Sequence, residues 1–259
     1  MFCKKVLVSL SLVLMVSLMV SCSSGISVVK ETSNSETKTV ETSAAAKNEK
    51  LTVKIEKVDI SDIENGKTYQ EIKYPVITCN DTTLQKSLDE LNKKLKENAE
   101  EFKYLNRNEI RNLIVERNDE NSMYSNDTDA EVSYQGKNYL SIVTNGYVFT
   151  MGAHGGSVIS GYNYDIKTGK LLKLEDFIKD KEELRKFLKD WISKQDKDMF
   201  FEWANETVDQ YLDNAEYELQ CSIKDGKLSV VFQQYDIAPY AVGIIEVPID
   251  KKLLKVDIN

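Results

Sequence analysis

Regular patterns of hydrophobic and polar positions begin near Leu51 and predict a folded body from there to the C-terminus. Apolar and polar residues alternate at Val53–Ile55 and again at Ile72–Val76, which is the period of a half-buried β-strand. The dipeptide Asn65-Gly66 between them favours a tight hairpin turn. Pro75 has no N–H group to donate, which places the second strand at a sheet edge or at a bulge.

Two later stretches repeat apolar residues every three or four positions, which predicts amphipathic helices. Thr82 followed by Gln85 fits a capping box and starts the first helix near Thr82. Asp180 with Glu183 supplies a cap for the second helix, and 206–214 predicts a further short helix. The residues predicted to face the core are Leu84, Leu88, Leu91, Leu95 and Phe102 in the first helix, and Leu184, Phe187, Leu188, Trp191 and Ile192 in the second.

Alternating segments on both sides of the second helix predict further strands, and Asp225-Gly226 predicts a hairpin turn between two of them. These segments are 131–134, 139–143, 147–149, 162–166, 217–224, 227–234 and 242–249. Asn126–Asp129 resembles the start of a calcium loop but lacks its glycine and its twelfth-position glutamate, so a solvated loop is expected there.

The order of strands, helix, strands, helix and strands, joined by tight turns, predicts an α+β fold. We expect two small subdomains, each an antiparallel sheet with a helix packed on one face. The predicted boundaries are 51–165 for the first subdomain and 166–259 for the second. Residues 22–50 are predicted to form a flexible tether, because the polar stretch Glu31–Lys38 has no large apolar residue that could support a core.

Residues 1–21 have the features of a bacterial lipoprotein signal peptide. Two lysines precede an apolar run from Val6 to Val20, which is too short for a comfortable membrane span. Ser21 before Cys22 is similar to a lipobox, and this predicts cleavage before Cys22 and lipidation of its side chain. The protein is then held by its lipid at the extracytoplasmic face of the bacterial cell membrane. The alternatives are an ordinary signal peptide and an uncleaved anchor.

The charge of the chain restricts its partners. The formal net charge is −8, and it becomes −10 when Lys4 and Lys5 leave with the signal peptide. An acidic body argues against nucleic acid as a partner, because affinity for nucleic acid comes from neutralising phosphates. The same charge attracts basic proteins and raises their rate of encounter.

His154 is the only histidine of the chain, which excludes a histidine-rich metal site. It lies beside Gly152 in a glycine-rich loop, which suits either a tight bend or a cradle for an anion. We predict no catalytic residue, no metal ion and no cofactor, because no second recognisable catalytic group accompanies this loop. The alternative is a cell-wall hydrolase that uses His154 and carboxylates, the candidates being Glu175, Asp176, Asp196, Asp198, Glu202 and Glu206.

Two further residue types are candidates for specific roles. Cys79 and Cys221 remain after Cys3 is removed and Cys22 is lipidated, and they form either a disulfide or two buried thiols. Several aromatic residues suit a surface that binds protein or sugar, although the same alternation suits core packing. These aromatic residues are Tyr162, Tyr164, Trp203, Tyr235 and Tyr240.

Two segments of the chain resemble a known family of extracytoplasmic domains. One begins at Gly152-Ala153-His154-Gly155 and continues through 162–170 and 174–177, and the other is 232–243. They are similar to the sensor region of the anti-sigma factor RsiV and to the non-catalytic module of the peptidoglycan deacetylase PdaC. The resemblance covers most of 51–249.

The resemblance implies two α+β subdomains that form a binding module rather than an enzyme. It makes a lysozyme-like muramidase the first candidate ligand and peptidoglycan, the cell-wall glycan, the second. The residues that it marks for ligand binding are Gly152, His154, Tyr235, Pro239 and Tyr240. The alternatives from other classes are the hydrolase described above and a non-enzymatic protein that assembles other envelope proteins.

Overall fold

The computed structural model describes residues 51–58, 68–117, 124–149 and 152–258, which fall into two compact units. Among these residues, the C-terminal unit comprises 129–147 and 156–258, and the N-terminal unit comprises the rest. This division follows two strands that each continue from one unit into the other, whereas the predicted boundary after Asp165 is a single cut in the chain. The predicted signal peptide, Cys22 and the tether lie outside the described residues.

The described residues form two sheets and four α-helices, which confirms the α+β class. The strands are β1 Thr52–Lys57, β2 Thr68–Thr78, β3 Tyr124–Gln135, β4 Tyr139–Phe149, β5 Gly156–Asp165, β6 Lys170–Leu172, β7 Gln220–Lys224, β8 Lys227–Phe232 and β9 Ile245–Pro248. The helices are α1 Thr82–Arg117, α2 Leu174–Phe177, α3 Lys181–Ser193 and α4 Ala204–Asp213. Strands β1 to β6 are ordered as in the chain, and β8 is the centre of the three-stranded sheet β7–β9.

One strand pair departs from the expected antiparallel arrangement. β2 and β3 run parallel, with Thr68 opposite Tyr124 and Ile72 opposite Thr128. Parallel neighbours need a long crossover connection, and helix α1 lies between β2 and β3 in the chain. The pairing of β1 with β2 is antiparallel, as the hairpin pattern predicts, although the predicted turn at Asn65-Gly66 lies outside the described residues.

Helix α1 packs its leucine stripe on β2 within the N-terminal unit. Leu88, Leu91 and Leu95 are buried, as predicted. The side-chain amide of Asn92 accepts a hydrogen bond from the Ile77 N–H and donates one to the Ile77 carbonyl, both at 2.8 Å. This amide therefore fixes the helix against the backbone of the strand.

The cap of α1 differs from the predicted one. Asp81, rather than Thr82, accepts the hydrogen bonds of the Thr83 and Leu84 N–H groups, both at 2.8 Å. A carboxylate accepts strongly at a helix N-terminus. Gln85 is then available to accept from the Cys79 N–H at 2.8 Å, which anchors the end of β2.

The expectation of a solvated loop at Asn126–Asp129 was wrong. These residues belong to β3, with Asn126 wholly buried and Thr128 8% exposed. The Thr128 hydroxyl accepts from the Lys73 N–H at 2.8 Å and donates to the Lys73 carbonyl at 2.9 Å. Polar side chains predict exposure to solvent, but the Thr128 hydroxyl instead satisfies the backbone of a neighbouring strand.

Helices α3 and α4 pack together in the C-terminal unit. Asp180 caps α3 by accepting from the Glu182 and Glu183 N–H groups, as predicted. The Arg185 guanidinium on α3 donates to Asp209 at 2.6 Å and Asp213 at 2.7 Å, which are on α4. The two charged contacts fix the orientation of one helix on the other, while the buried apolar faces supply the main stabilisation.

The hairpin of β7 and β8 has the predicted turn, with positive φ at Asp225 (50°) and Gly226 (72°). Cys221 and Ile223 on β7 bury their side chains in the core of the unit. Residues 220, 222 and 224 face the other way, because side chains alternate along a strand.

Strand β5 has an edge whose N–H groups are satisfied by glutamine side chains. Gln234 Oε1 accepts from the Ser157 N–H at 2.8 Å, and Gln220 Oε1 accepts from the Gly161 N–H at 3.2 Å. Gln233 pairs with both backbone groups of Ile159, accepting from its N–H at 2.9 Å and donating to its carbonyl at 2.8 Å. These amides imitate the hydrogen bonds of a neighbouring strand.

Strand β7 is in turn held by polar side chains of the six-stranded sheet. Asn163 Nδ2 donates to the Cys221 carbonyl at 2.9 Å. The Ser141 hydroxyl accepts from the Ile223 N–H at 3.0 Å, and the Ser133 hydroxyl donates to the Ile223 carbonyl at 2.8 Å. The backbone edge of one sheet is thus seated on the polar face of the other within the C-terminal unit.

We expect Gly161→Ala to lower the free energy of unfolding by about 2 kcal/mol. A Cβ atom at this position would overlap the carbonyl oxygen of Cys221 and would lie 2.9 Å from its carbonyl carbon. The matched control is Gly152→Ala, because a Cβ atom there has no neighbour within 4 Å. Chemical denaturation of both variants measures the difference, and equal stabilities would contradict the close contact between β5 and β7.

Candidate functional site

Residues Gln233–Tyr240 form a turn that follows β8, and three of the predicted ligand-binding residues lie on it. Tyr235 has a positive φ of 68°, an uncommon conformation for a residue other than glycine. Asp236 holds this bend, since its Oδ2 atom accepts from the Gln233 N–H at 2.6 Å. Ile237 and Ala238 are buried and anchor the turn in the core. We name it the aromatic turn.

The carboxyl group of Asp236 sits in an unusual environment. It also accepts a hydrogen bond from the Tyr211 hydroxyl at 2.9 Å. Burial raises the pKa of Asp236 to about 6, although the hydrogen bonds from Gln233 and Tyr211 act in the opposite direction. Burial, together with the adjacent Asp236 carboxylate, also raises the pKa of Tyr211. The hydrogen bond between Tyr211 and Asp236 thus holds the aromatic turn in position.

The aromatic turn brings Tyr235 and Tyr240 together. Their ring centroids are 6.0 Å apart and the ring planes are inclined by 34°. Pro239 lies between them in the chain and precedes the 3-10 helix Tyr240–Val242, with φ of −61°. Both tyrosines are half-buried and Pro239 is exposed, so the pair presents part of its surface to solvent.

A second aromatic pair lies on the neighbouring segment. The rings of Phe201 and Trp203 are stacked, with centroids 4.5 Å apart and planes within 12° of parallel. The Phe201 N–H donates to the Ile237 carbonyl at 3.0 Å, which ties this segment to the aromatic turn. Trp203 is 55% exposed. We name the Phe201–Trp203 and Tyr235–Tyr240 pairs together the aromatic surface.

The segment that carries Phe201 and Trp203 is strongly acidic. Its exposed carboxylates are Asp196, Asp198, Glu202 and Glu206, and its lysine is Lys197. Such a combination of exposed aromatic rings and negative charge is complementary to a basic surface. The sequence pattern singled out Trp203 but not Phe201, because stacking of two rings in an irregular segment has no periodic signature.

Two of the six candidate catalytic carboxylates, Asp176 and Asp196, accept hydrogen bonds from the backbone at helix N-termini. Asp196 caps the 3-10 helix Lys197–Met199 by accepting from the Asp198 N–H at 3.1 Å. Asp176 Oδ2 accepts from the Lys173 N–H at 2.9 Å at the start of α2. These contacts explain two of the six carboxylates as helix caps.

The glycine-rich loop belongs to the N-terminal unit. His154 is half-buried, and its Nδ1 atom lies 2.9 Å from the carbonyl oxygen of Gly155. This is the contact with nearby backbone that a tight bend produces. Gly152 is exposed. Ligand binding by Gly152 and His154, and by Tyr235, Pro239 and Tyr240, stays a prediction.

Cys79 and Cys221 are both free thiols in the structure. Cys221 is buried in the C-terminal unit and accepts a contact from Asn163 Nδ2 at 3.3 Å. Burial raises the pKa of the Cys221 thiol to about 12, so it is a packing residue. The Cys79 thiol lies 3.4 Å from the Asp81 carbonyl.

No described helix has both the length and the apolar character needed to cross a membrane. Within the same part of the chain, no group of three or more histidine, cysteine, aspartate or glutamate residues is arranged to hold a metal ion.

Comparison with known proteins gives two family matches that agree with the resemblance derived from the sequence. The family described as "Deacetylase PdaC" matches residues 61–157, and the family described as "Protein of unknown function (DUF3298)" matches residues 175–252. No curated protein is significantly similar in sequence to this chain.

The crystal structures that are similar to this chain include two from the DUF3298 family. One is a DUF3298 family member from Bacteroides fragilis, with a TM-score of 0.55 and 22% identity over 81% of this chain and 95% of that chain. The other is a DUF3298 family protein from Pseudomonas aeruginosa PAO1, with a TM-score of 0.45 and 17% identity over 82% of this chain and 96% of that chain. The Bacteroides structure shows a shared fold.

We expect Asp236→Asn to remove a pH dependence of stability. Since folding raises the pKa of this carboxyl group from 3.8 to about 6, its protonated form favours the fold at low pH, and that contribution is lost as the pH rises through about 6. The stability of the wild type relative to the variant should therefore fall by about 2 kcal/mol between about pH 4 and pH 7. Denaturant titrations across this range measure the difference, and parallel pH profiles would contradict it.

Proposed function

Residues 61–157 match the PdaC family and residues 175–252 match the DUF3298 family, and from this premise we propose that the chain binds a basic protein outside the cell. These regions indicate an extracytoplasmic, cell-wall-associated module of a non-catalytic type. The proposed ligand is a lysozyme-like muramidase, and the proposed consequence is inhibition or sensing of that enzyme. Inhibition needs no chemistry, because covering the cleft of a muramidase blocks access to its substrate.

The observation that carries this proposal is the aromatic surface with its acidic surroundings. Exposed tryptophan and tyrosine side chains are the commonest anchors of protein interfaces. Trp203 is more than half exposed although it is large and apolar, and Glu202 and Glu206 lie close to it in the chain. Negative charge around an apolar anchor accelerates encounter with a basic partner and favours it over acidic ones.

The rigidity of the surface supports binding rather than catalysis. The aromatic turn is held by the buried side chains of Ile237 and Ala238. The side-chain amides of Gln233 and Gln234 also accept hydrogen bonds from the backbone of β5. A preorganised surface loses little conformational entropy when it binds. Its tyrosines and tryptophan supply contact area, whereas acid–base catalysis needs a proton donor and acceptor at the reacting bond.

A cell-wall glycan is the second candidate ligand. The stacked Phe201–Trp203 pair favours it, since an exposed aromatic face can pack on the apolar face of a sugar ring. A glycan is bound by stacking and hydrogen bonds, so its affinity depends little on salt. Affinity for a basic protein falls as salt screens the acidic side chains.

We further propose that the domain is anchored through a lipid on Cys22, beyond a tether at 22–50. As a flexible coil of just under 30 residues, the tether has a reach of roughly 30 Å. The acidic folded body is repelled by anionic lipid headgroups. The tether therefore holds the binding surface away from the membrane, where it meets soluble proteins.

We expect Trp203→Ala to weaken binding of a lysozyme by about 30-fold, the loss typical of an interface hot spot. The binding partner is titrated into residues 23–259 at low and moderate salt, and muramidase activity is followed in parallel. Leu171→Ala is the matched control, because Leu171 is an exposed apolar residue (36%) on β6, outside the aromatic surface. Its affinity should stay within about twofold of the wild type.

Three results contradict the muramidase proposal. Absence of binding at both salt concentrations excludes it, and loss of all binding at moderate salt reduces it to charge attraction. Equal binding by the Trp203→Ala variant moves the interface elsewhere. Salt-independent binding of soluble glycan fragments, lost in the same variant, would favour the glycan. Release of sugar products, abolished by His154→Ala, would favour the hydrolase.

We expect Cys22→Ala to prevent lipid attachment and release the protein from the membrane fraction. Only a thiol at this position can carry the lipid after signal peptide cleavage. Cys3→Ala is the matched control, since Cys3 leaves with the signal peptide and its loss should have no effect. Incorporation of labelled palmitate in bacterial cells, followed by fractionation, tests both variants. Labelling of the Cys22→Ala protein would contradict the anchor.

A further inference from the structure

The C-terminal unit contains a cleft of about 240 Å³ between β3, β4 and β5 on one side and β7 and β9 on the other. Its polar lining includes Glu131 from β3, Ser222 and Lys224 from β7 and Glu246 from β9. No residue of the aromatic surface lines it. The cleft is therefore a second feature of the unit, with its own chemistry.

The register of the three-stranded sheet places the β7 and β9 residues of the cleft on one face. Side chains of directly opposed residues in a sheet share a face. Gln220 opposes Val231, which opposes Glu246, so Glu246 shares the face of Gln220. Ser222 and Lys224 follow at intervals of two along β7 and lie on that face as well. The opposite face carries the core residues of β7.

Ser222 is the observation that points to a ligand. It is only 3% exposed, it lines the cleft, and its hydroxyl makes no hydrogen bond to another side chain or backbone group of the described residues. A hydroxyl that lines a cleft can both donate a hydrogen bond to a polar group bound there and accept one from it. The serines of the sheet junction, Ser133 and Ser141, have such partners within the protein.

The charges of the cleft select a cation. Glu131 and Glu246 contribute two carboxylates, and Asp129 contributes a third whose Oδ1 atom also accepts from the Ala130 N–H at 2.9 Å. Lys224 supplies one positive charge, which leaves a net charge of −2. Among the described residues, no group of three or more histidine, cysteine, aspartate or glutamate residues is arranged to hold a metal ion, so the cleft offers no complete metal site.

The shape of the lining narrows the cation to an aliphatic amine. Ala130, Val143 and Ile159 give the cleft an apolar wall that suits a chain of methylene groups. An ammonium group has three N–H donors and no acceptor. Glu131, Glu246 and Ser222 provide three acceptors for them.

We propose that this cleft binds an aliphatic primary amine of the kind that a lysine side chain presents. The methylene stem lies on the apolar wall, and the ammonium group is held by the two glutamates and the Ser222 hydroxyl. The positive charge of Lys224 repels the ammonium group of the ligand and so limits the affinity of the cleft for it. This site does not depend on the proposed function, since the two use different residues.

The test is calorimetric titration of the full chain, purified in detergent, with three probes. Nα-acetyl-lysine amide presents a lysine side chain as in a peptide, cadaverine is a free small amine, and Nα-acetyl-norleucine amide has a similar stem without the ammonium group. We expect an amine to bind with a Kd of about a millimolar, since exposed ion pairs are individually weak. The norleucine probe should not bind.

Three variants separate this site from general charge attraction. Glu131→Gln and Ser222→Ala should each weaken amine binding about two- to fivefold, whereas Lys224→Gln should strengthen it by a similar factor. The controls Glu206→Gln and Lys170→Gln change the net charge equally at exposed positions outside the cleft and should have no effect.

Each outcome decides the proposal. If Nα-acetyl-lysine amide binds, the ligand of the cleft is a lysine side chain of a peptide or protein. If cadaverine alone binds, the ligand is a free small amine. Binding of neither amine overturns the site, as does equal binding of the norleucine probe. Weaker binding after Lys224→Gln, or no change after Glu131→Gln and Ser222→Ala, would also overturn it. Lysozyme affinity in the Trp203→Ala variant is a separate measurement, so failure of one proposal leaves the other intact.

Discussion

The C-terminal unit depends on side-chain amides that replace a missing strand along β5. Gln220, Gln233 and Gln234 satisfy the N–H groups of this strand where no neighbouring strand does so. A buried N–H without a partner costs as much as several apolar contacts provide. These hydrogen bonds therefore stabilise one position of the three-stranded sheet strongly. A shift by one residue would leave each amide facing the wrong backbone group.

The aromatic surface follows from the same contacts. Gln233 and Gln234 are at once the amides that hold β5 and the first residues of the aromatic turn. Once they are fixed, the chain must bend sharply, and Asp236 stabilises the bend from inside. The uncommon backbone conformation of Tyr235 is thus imposed by its surroundings, and it sets the angle at which the ring meets Tyr240.

The free-energy cost of burying a polar group in the C-terminal unit depends on whether the group finds a hydrogen-bond partner. Asn163, Ser133 and Ser141 find partners on the backbone of β7, so burial costs them little. In the aromatic turn, by contrast, burial disfavours the charged form of the Asp236 carboxyl group and raises its pKa. Ser222 lies on the other face of β7, in the acidic cleft. The junction therefore combines structural polar contacts with a polar group available to a ligand.

The sequence alone determined the local elements. The leucine spacing of α1, the Asp180 cap of α3 and the Asp225-Gly226 turn all depend on residues a few positions apart, so their patterns predicted them. The resemblance placed the aromatic turn among the candidate sites for a similar reason, since its residues are contiguous. Such signals are short-range, and the predicted α+β class follows from their order along the chain.

Only the tertiary structure decided which distant residues meet. Gln234 and Ser157 are 77 positions apart, and no periodicity links an amide to the strand it will satisfy. The polar side chain of Thr128 predicts exposure to solvent, because nothing in the local sequence shows that the backbone of Lys73 will approach it. The pairing of Phe201 with Trp203 beside Ile237, and the convergence of β3, β7 and β9 around a cleft, likewise arise from packing. Contacts over such separations are chosen by the whole core, whereas helices, caps and turns are chosen by neighbours in the chain.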